Sequence, residues 1–381
     1  MFRHGIRLRV DHEGGLEVVD PDFSAVDLMT ALDPEFHIRM APLEGLLRPR
    51  VLATRERCLA MTELDLKSHS TDELWRQHDE ALSGTTAGER RPHFPGGAGV
   101  SLLDLKIELA RRALLACRLC GHGCGVNRLE GEMGKCGLTD AAFIAECFIH
   151  IAEEPPINPS LNLNLMGCGL RCRFCQQFPL LSVRPDRGQP LNEALWDHLS
   201  LEEARSLSFV GGNPDESIYA ILRFLRGAPE DFALPVVWNC HGYGAEAVYR
   251  LLEGVVDCYI PDFKYWNDEC AWRWSGAPGY RSQVTSGVLV MVKQNVPVFV
   301  RLFVLPGHIE CCHRPALTWL SRNVGSRIRI RAMGQYHPDY LVPVGEGEMG
   351  RRPSATEVEQ VECLAAQLGL SPVEGTQKRA R

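Results

Sequence analysis

Residues 161–175 read LNLNLMGCGLRCRFC, a short apolar–polar alternation followed at once by three closely spaced cysteines. The alternation from Leu161 to Leu165 has a period of two, which predicts a β-strand. The cysteines have the spacing C-x3-C-x2-C and are Cys168, Cys172 and Cys175. Three thiolates in one loop can bind three irons of a [4Fe–4S] cluster, which leaves the fourth iron without a protein ligand. A structural zinc ion usually takes four protein ligands, and no histidine follows until His198.

Further strand candidates follow this loop and alternate with helical patterns. The strand candidates cover residues 206–210, 235–238, 255–260, 298–304 and 327–333, and the helical patterns cover 216–226, 245–253 and 315–323. Strands that alternate with helices indicate βα units and a parallel sheet. With residues 161–165 there are six such units, whereas a complete barrel of this type has eight. The sequence therefore predicts an α/β fold with an incomplete (β/α)6 barrel.

Polar residues stand at the ends of several strand candidates. Asn239 follows the third candidate, and Asp262 and Lys264 follow the fourth. In a parallel barrel such residues face the active-site mouth, so these three are candidates for ligand contacts. A solvent-exposed ion pair is the alternative interpretation of Asp262 and Lys264. Arg301 lies inside the apolar fifth candidate, where a charge is costly unless it meets an anion.

Four more cysteines form a second group upstream of the first. Their spacing is C-x2-C-x3-C-x11-C, interleaved with glycines, and they are Cys117, Cys120, Cys124 and Cys136. Four thiolates are typical of a closed metal site, and they fit structural zinc, a single iron or a second iron–sulfur cluster. His122 is the alternative to Cys124 as one of the ligands. The sequence therefore predicts a second metal without identifying it.

Composition limits the classes of protein to consider. The chain has 381 residues, 45% of them hydrophobic and 23% charged, and 15 cysteines. Its net charge of −7 disfavours a nucleic-acid partner. The first residues lack the apolar stretch of a secretory signal, and no apolar run reaches the roughly 20 residues of a membrane helix. We therefore expect a cytoplasmic protein with no membrane partner, in which clustered thiols bind metal rather than form disulfides.

The first cysteine group resembles the signature of radical S-adenosylmethionine (SAM) enzymes. These carry C-x3-C-x2-C after the first barrel strand, with an aromatic residue before the last cysteine, and Phe174 matches that position. The resemblance implies a [4Fe–4S] cluster at Cys168, Cys172 and Cys175 whose open iron binds SAM. It further implies that an electron from a donor such as flavodoxin or ferredoxin cleaves SAM. The resulting 5′-deoxyadenosyl radical would then remove hydrogen from a substrate, with the protein supplying binding and orientation.

The resemblance also implies where SAM is bound. Gly211, Gly212 and Asn213 stand where the superfamily carries a Gly-Gly-Glu turn that contacts the SAM amino group. Asn213 replaces the glutamate, and its amide can accept a hydrogen bond but brings no charge. Arg301 is expected to meet the SAM carboxylate, and the other strand-end candidates are expected to contact SAM or substrate. No catalytic residue is assigned.

Longer blocks resemble proteins related to pyruvate formate-lyase activating enzyme. They are Asp-x-Lys at residues 262–264, residues 300–308 and 332–338, the second cysteine group with its neighbours at 117–137, and Glu-Glu-Pro-Pro at 153–156. The resemblance spans about residues 115–340 and implies an activating enzyme that acts on a protein backbone, as in glycyl-radical activation. Two alternatives stay open. One is radical SAM modification of a small molecule, a peptide or RNA, and the other is a non-catalytic iron–sulfur protein that transfers electrons.

These observations divide the chain into four regions. Residues 1–100 form an N-terminal extension of unknown role, 101–158 the four-cysteine metal subdomain, 159–345 the barrel, and 346–381 a C-terminal helix and polar tail. A glycine- and proline-rich segment over residues 83–99 marks the first boundary. Cys311 and Cys312 could bind a metal or receive substrate, but buried inert cysteine is commoner, so they and Cys270 are interpreted as packing residues. His308 alone is weak evidence for a position near SAM.

Overall fold

The computed structural model describes residues 50–59, 61–83 and 99–373, together with the backbone of two short strands, β1 (Leu8–Val10) and β2 (Leu16–Val18). β1 and β2 pair antiparallel. Much of the predicted N-terminal extension lies outside the described residues, as do most of the predicted loop over residues 83–99 and the end of the predicted polar tail.

A six-stranded sheet runs through the described part of the chain. Its strands are β3 (Phe143–His150), β4 (Ser160–Leu165), β5 (Gln189–Pro190), β6 (Ser206–Gly211), β7 (Val236–Cys240) and β8 (Cys258–Pro261), in the spatial order β5-β3-β4-β6-β7-β8. β4, β6, β7 and β8 are parallel, whereas β3 is antiparallel to both of its neighbours. A parallel pair, β9 (Phe299–Phe303) and β10 (Arg329–Met333), continues this order. Isolated parallel bridges join residues 298 and 301, at β9, to residues 259 and 262, at β8.

All six strands predicted for the barrel are therefore present, and they follow one another across the fold in chain order as β4-β6-β7-β8-β9-β10. Within the described residues, β10 pairs with β9 and makes a bridge to Pro372, and it does not pair with β4. The sheet is open between its first and last parallel strands. The alternation of strands and helices thus produces an α/β fold with a largely parallel, open sheet.

Helices cover the strands and precede them. Before the sheet, the described residues form α1 (Val51–Glu56), α2 (Glu63–Ser68), α3 (Thr71–Ser83) and α4 (Leu102–Ala113). Between and after the parallel strands stand α5 (Ile218–Arg226), α6 (Glu246–Leu252), α7 (Asp268–Ser275), α8 (Tyr280–Lys293), α9 (Arg314–Asn323) and α10 (Ala355–Gln367). None of the described helices combines the length and apolar character that spanning a membrane requires.

Local sequence signals explain where these elements begin and which side they bury. α4 begins at a capping box, in which Asp104 N–H donates to Ser101 Oγ at 3.1 Å and Ser101 N–H donates to the Asp104 carboxylate at 3.0 Å. α5 buries Ile218, Ile221 and Leu225, which recur at the spacing of one helix face. The apolar–polar alternation correctly predicts the strand β4. In the structure, β4 is buried along its whole length, including its polar positions.

One apolar core joins the N-terminal helices to the barrel strands. Buried side chains of α1, α3, α4, the second cysteine group and the parallel strands share one large cluster. A second, smaller cluster holds Val237, Cys258, Ile260 and Phe299 of β7, β8 and β9. β3 lies inside residues 101–158, the predicted four-cysteine subdomain, and yet pairs with β4. The pairing of β3 with β4 therefore crosses the predicted boundary at residue 158, which lies in the connection between these two strands.

A buried amine–imidazole pair links α3 to α4. Lys106 Nζ lies 2.7 Å from His78 Nε2, and His78 Nδ1 lies 2.9 Å from the Asp79 carboxylate. Burial lowers the pKa of Lys106 to about 7. Burial, reinforced by the charge of Lys106, lowers the pKa of His78 to about 3. Both shifts arise because a charge is poorly solvated between packed helices.

Because of this pair, we expect the free energy of unfolding to depend on pH. Lys106→Met should abolish this dependence. Above about pH 7 the folded chain has released the Lys106 proton, while an unfolded lysine keeps its proton up to a pH of about 10.4. At this site the unfolded state therefore binds more protons, so the contribution of Lys106 to the free energy of unfolding rises with pH in this window, by up to about 1.4 kcal/mol per pH unit. Urea unfolding at about pH 7 and about pH 9, both in this window, measures the slope of the free energy of unfolding against pH.

Two variants decide whether Lys106 causes that slope. Lys106→Met should lose it, whereas Lys67→Met, which changes an exposed lysine of α2, should keep it. If wild type and Lys106→Met showed the same pH dependence, the buried ammonium would not be its source.

Candidate functional site

A cavity of about 190 Å³ lies at the carboxyl ends of the parallel strands. Its wall includes all three cysteines of the first group. The wall also includes all seven residues predicted to bind a ligand, namely Gly211, Gly212, Asn213, Asn239, Asp262, Lys264 and Arg301. These residues are far apart in sequence. They meet because the carboxyl ends of parallel strands share one edge of the sheet.

The cysteine loop is held by backbone hydrogen bonds to its surroundings. The N–H groups of Arg171 and Arg173 donate to the carbonyls of Ser275 and Trp274, at the end of α7, over 2.9 and 2.8 Å. Gly167 N–H donates to the Leu180 carbonyl at 2.7 Å. The loop is therefore fixed from α7 on one side and from the segment after Cys175 on the other.

The three thiols sit where they are poorly solvated. Cys168 and Cys172 are buried and Cys175 is half-buried. Burial raises the pKa of Cys175 to about 12 and raises the pKa values of Cys168 and Cys172 as well. Ser275 Oγ donates a hydrogen bond to Cys172 Sγ at 3.0 Å. Thiolates at these positions therefore need a bound cation to offset the loss of solvation.

The Gly-Gly turn after β6 packs directly onto the start of the cysteine loop. Gly211 has a φ of +97°, which favours glycine. A Cβ atom on Gly212 would lie 2.2 Å from the Gly167 carbonyl oxygen, and one on Gly211 would lie 2.5 Å from the Leu165 nitrogen. No side chain fits at either position, so the two glycines are required for the close contact between the two strand ends.

Asn213 has different partners from the one expected. Its Oδ1 accepts from His241 N–H at 2.9 Å, and its Nδ2 donates to Glu216 Oε2 at 2.6 Å. Both polar atoms of the amide are thus used within the protein. The residue lines the cavity, but its side chain ties the β6 loop to the β7 loop.

Glu216 is a site residue that sequence reasoning missed. Its carboxylate is buried and accepts from Gly169 N–H at 3.0 Å, and it lies 3.2 Å from His241 Nε2. Burial alone would raise the pKa of Glu216, but the His241 imidazole and the hydrogen bonds lower it overall, so the carboxylate is ionised. From the sequence, a glutamate near the start of a helix is usually interpreted as an ordinary acidic residue of the first turn. The feature that could have indicated a site residue was its position three residues after Asn213.

Asp262 and Lys264 form an ion pair on the cavity wall. The Lys264 side chain is only 11% exposed and that of Asp262 26%, so the pair is not the solvent-exposed one that was the alternative interpretation. Burial would lower the pKa of Lys264, but the Asp262 carboxylate outweighs it and raises the pKa. The wall therefore presents a carboxylate and an ammonium side by side.

Arg301 lines the cavity, but within the protein it meets a different anion from the one expected. The sequence predicts that its charge meets the carboxylate of a bound molecule, but its Nε donates to Glu154 Oε1 at 2.7 Å, and its Nη2 pairs with Glu153 and Glu154. Arg331 Nη1 lies 3.1 Å from Glu154 Oε1. Burial would raise the pKa of Glu154, but Arg301 outweighs it and holds the pKa low. The anion that Arg301 requires is supplied by Glu153 and Glu154 of the Glu-Glu-Pro-Pro block.

The second cysteine group lies against the first cysteine loop. Cys117, Cys120 and Cys136 are buried and Cys124 is half-buried. A Cβ atom on Gly134 would lie 3.3 Å from Cys136 Sγ and 3.4 Å from Cys124 Sγ, so these two sulfurs flank one point. Burial raises the pKa of Cys136 to about 11. A metal at this group remains a prediction.

Two basic side chains connect that group to the cavity loops. His122, the alternative ligand, has its Nε2 at 2.7 Å from the Gly169 carbonyl oxygen and so contacts the cysteine loop instead. Arg128 is buried, donates to the Glu216 carbonyl at 2.9 Å, and lies 3.8 Å from Cys117 Sγ. Cys120 Sγ would be 3.3 Å from a Cβ on Gly169. The two cysteine groups therefore belong to one region of the fold.

The fold and site define an open, largely parallel α/β protein with a cysteine-lined cavity at the carboxyl edge of its sheet. The chain is 29% identical over 322 residues to an uncharacterized protein of Methanocaldococcus jannaschii, covering 82% of this chain and 92% of that protein. No protein-family model matches the chain. The crystal structure of methylornithine synthase (PylB) is similar over 83% of this chain and 87% of that one, with 10% sequence identity and a TM-score of 0.35.

Proposed function

We propose that this protein is a radical SAM enzyme in which Cys168, Cys172 and Cys175 hold a [4Fe–4S] cluster and the adjoining cavity binds SAM. The observation that carries the proposal is that these cysteines meet the predicted binding residues Gly211, Gly212, Asn239, Asp262 and Lys264 on one cavity wall. When bound, the reduced cluster would pass one electron to SAM and break it into methionine and a 5′-deoxyadenosyl radical, which takes a hydrogen atom from the substrate.

The residues on the wall fit that pair of ligands. Three buried or half-buried thiols on one loop match a cluster that keeps one iron free of protein. Asp262 and Lys264 offer a carboxylate and an ammonium to the ammonium and carboxylate of an amino acid. Asn239, buried on the same wall, adds a neutral amide. Gly211 and Gly212 keep this edge of the cavity free of side chains.

A protein substrate, as for pyruvate formate-lyase activating enzyme, extends the proposal. It is supported by apolar side chains beside the cavity: Phe178 and Tyr340 are exposed and stack with their ring centroids 5.0 Å apart. Leu341, also exposed, has its N–H bonded to the Arg173 carbonyl of the cysteine loop at 2.8 Å. Exposed aromatic and aliphatic groups at a site mouth suit a macromolecular partner. Flavodoxin or ferredoxin would supply the electron.

The competing function is an iron–sulfur protein that only transfers electrons. The half-buried ion pair of Asp262 and Lys264 and the amides on the cavity wall favour the enzyme, because electron transfer needs no polar cavity beside the cluster. A radical SAM enzyme acting on a small molecule or a peptide shares all of these features and differs only in the substrate.

SAM cleavage tests the proposal directly. The protein is reconstituted with iron and sulfide under anaerobic conditions, reduced with dithionite in the presence of SAM, and assayed for 5′-deoxyadenosine and methionine. We expect the two products in equal amounts. Intact SAM beside a cluster that is fully formed and reducible would instead favour the electron-transfer protein.

Ser275 should tune the reduction potential of the cluster. Its hydroxyl donates to Cys172 Sγ, and Tyr265 Oη lies 2.8 Å from the same hydroxyl. A hydrogen bond to a cluster sulfur stabilises the more negative, reduced form. With a net worth of roughly 0.5–1.5 kcal/mol, and 59 mV per 1.4 kcal/mol for one electron, Ser275→Ala should lower the potential by roughly 20–60 mV.

A redox titration followed by electron paramagnetic resonance measures this shift. Ser282→Ala, which changes an exposed serine of α8, is the matched control and should leave the potential at the wild-type value. Equal potentials in wild type and Ser275→Ala would show that the hydroxyl does not act on a cluster sulfur.

A further inference from the structure

A set of sulfur and nitrogen ligands lies away from the cavity. Cys270, His308 and Cys311 have potential ligand atoms that all lie within 4.8 Å of one another. Within the part of the chain that the structure describes, this group has the spacing expected around a single metal ion. None of the three residues lines the cavity. We call these residues the Cys–His group.

The local backbone explains how these residues meet. Gly307, with a φ of +73°, turns the chain just before His308. A π-helical turn, Ile309–His313, follows, and His313 N–H donates to the His308 carbonyl at 3.1 Å. Such turns hold one extra residue and are frequent at functional sites. The wide turn brings Cys311 next to Cys270, which lies in the first turn of α7.

His308 is prepared to act as a metal ligand. The side chain is buried, and its Nδ1 lies 2.8 Å from the Pro306 carbonyl oxygen. A carbonyl oxygen can only accept, so Nδ1 carries the proton and Nε2 keeps its lone pair. Histidines that bind metal through one ring nitrogen commonly donate the other N–H to a backbone carbonyl, which fixes the tautomer and the ring orientation.

The thiols have the spacing of a tetrahedral site. Cys311 Sγ lies 3.7 Å from Cys312 Sγ. Cys270 Sγ lies within 4.8 Å of Cys311 Sγ. With zinc–sulfur bonds of about 2.3 Å, two sulfurs on one tetrahedral zinc ion lie about 3.8 Å apart. The thiol pair thus has the separation that zinc would impose.

We propose that Cys270, His308 and Cys311 bind a Zn²⁺ ion. Cys312 lies outside this three-residue group, but its Sγ is 3.7 Å from Cys311 Sγ, and in our proposal it turns toward the ion to become the fourth ligand. Thiolates with an imidazole are soft donors that suit zinc and exclude magnesium and calcium, which bind through oxygen. Four protein ligands close the coordination shell, as in structural zinc sites. The site is separate from the cavity and from both predicted cysteine groups, and it does not depend on the proposed function.

A zinc ion at this group would stabilise the cysteine loop through α7, without contacting the loop itself. Cys270 lies near the start of α7, and Ser275 at its end donates to Cys172 Sγ. The carbonyls of Trp274 and Ser275 also accept from two N–H groups of the cysteine loop. An ion that joins α7 to the turn at Ile309–His313 would therefore hold the helix on which the cysteine loop rests.

Zinc content tests the proposal. Wild type and Cys270→Ser/Cys311→Ser are purified from zinc-supplemented cultures and compared by inductively coupled plasma mass spectrometry. We expect the double variant to contain one zinc ion fewer per chain than wild type. The matched control is Cys363→Ser, since Cys363 is exposed on α10, and its zinc content should equal that of wild type.

His308→Gln is a second test of the site, for the case that the double variant does not fold. It keeps every cysteine and should also lose one zinc ion per chain, with the circular dichroism spectrum of wild type. Wild-type zinc content in a folded His308→Gln or in the double variant would overturn the proposal. So would a Cys270–Cys311 disulfide detected by mass spectrometry in wild type, because the sulfurs would then not be available to zinc.

Discussion

Replacing Cys172 with alanine is expected to reduce formation of 5′-deoxyadenosine to the level of a protein-free control. Three thiolates are the minimum that holds a [4Fe–4S] cluster with one open iron, and the substitution leaves two. Cys172 is buried beneath Ser275, and Cys168 and Cys175 line the same cavity wall. We therefore expect loss of the iron and absorbance that this one cluster contributes, together with loss of SAM cleavage, both measured against wild type after anaerobic reconstitution.

The control must separate loss of a ligand from loss of a thiol. Cys363→Ala changes an exposed cysteine on α10 and should keep wild-type iron content and wild-type SAM cleavage. A Cys172→Ala protein that still cleaves SAM would refute the assignment of the cluster to this loop. If wild type forms a cluster that Cys172→Ala lacks, and yet leaves SAM intact, the three cysteines are correctly assigned as cluster ligands but the protein is not a SAM-cleaving enzyme.

The strands of the barrel could be predicted because their signal is local. Each parallel strand is a short apolar run between helical patterns, and the six predicted ranges match β4, β6, β7, β8, β9 and β10 to within about three residues at each end. Polar residues just after such strands share one edge of the sheet by geometry alone. Asp262 and Lys264 could therefore be assigned to a common site before their distance was known.

Helices α7 and α8 were not predicted, and their composition explains why. α7 contains two tryptophans, Trp272 and Trp274, and aromatic residues have only a moderate helix propensity. α8 is rich in valine and also contains threonine, β-branched residues that favour strands, and it reads as a general apolar run. Tertiary packing decides such segments, since Val284, Val288 and Met291 of α8 are buried.

The partners of buried charges could not be predicted either. Glu216 contacts Gly169 and His241, which belong to loops after two other strands. The sequence indicates that Arg301 needs an anion, but it cannot choose between a ligand and a distant glutamate of the same chain. That choice depends on which strand ends lie side by side, and only the three-dimensional structure contains this information.

Arg301→Met is expected to destabilise the protein by about 3–5 kcal/mol. The substitution leaves the carboxylates of Glu153 and Glu154 buried without their main counter-charge. Removing one member of a buried, hydrogen-bonded ion pair is costly because the remaining charge stays poorly solvated. Urea unfolding in the absence of SAM measures the loss.

Arg314→Met provides the matched control, since Arg314 pairs with Glu310 on the surface and the two side chains are 49% and 73% exposed. This variant should cost no more than about 0.5 kcal/mol. Adding Glu153→Gln and Glu154→Gln to Arg301→Met should recover part of the stability, because the uncompensated charges are then removed.

The two roles considered for Arg301 predict opposite results. If the guanidinium served the carboxylate of bound SAM, Arg301→Met would weaken SAM binding and leave the stability of the ligand-free protein unchanged. The contacts with Glu153 and Glu154 predict instead a loss of stability without SAM. In that case Asp262 and Lys264 are the ion pair on the cavity wall to examine next for SAM binding, because Arg301 is already neutralised inside the protein.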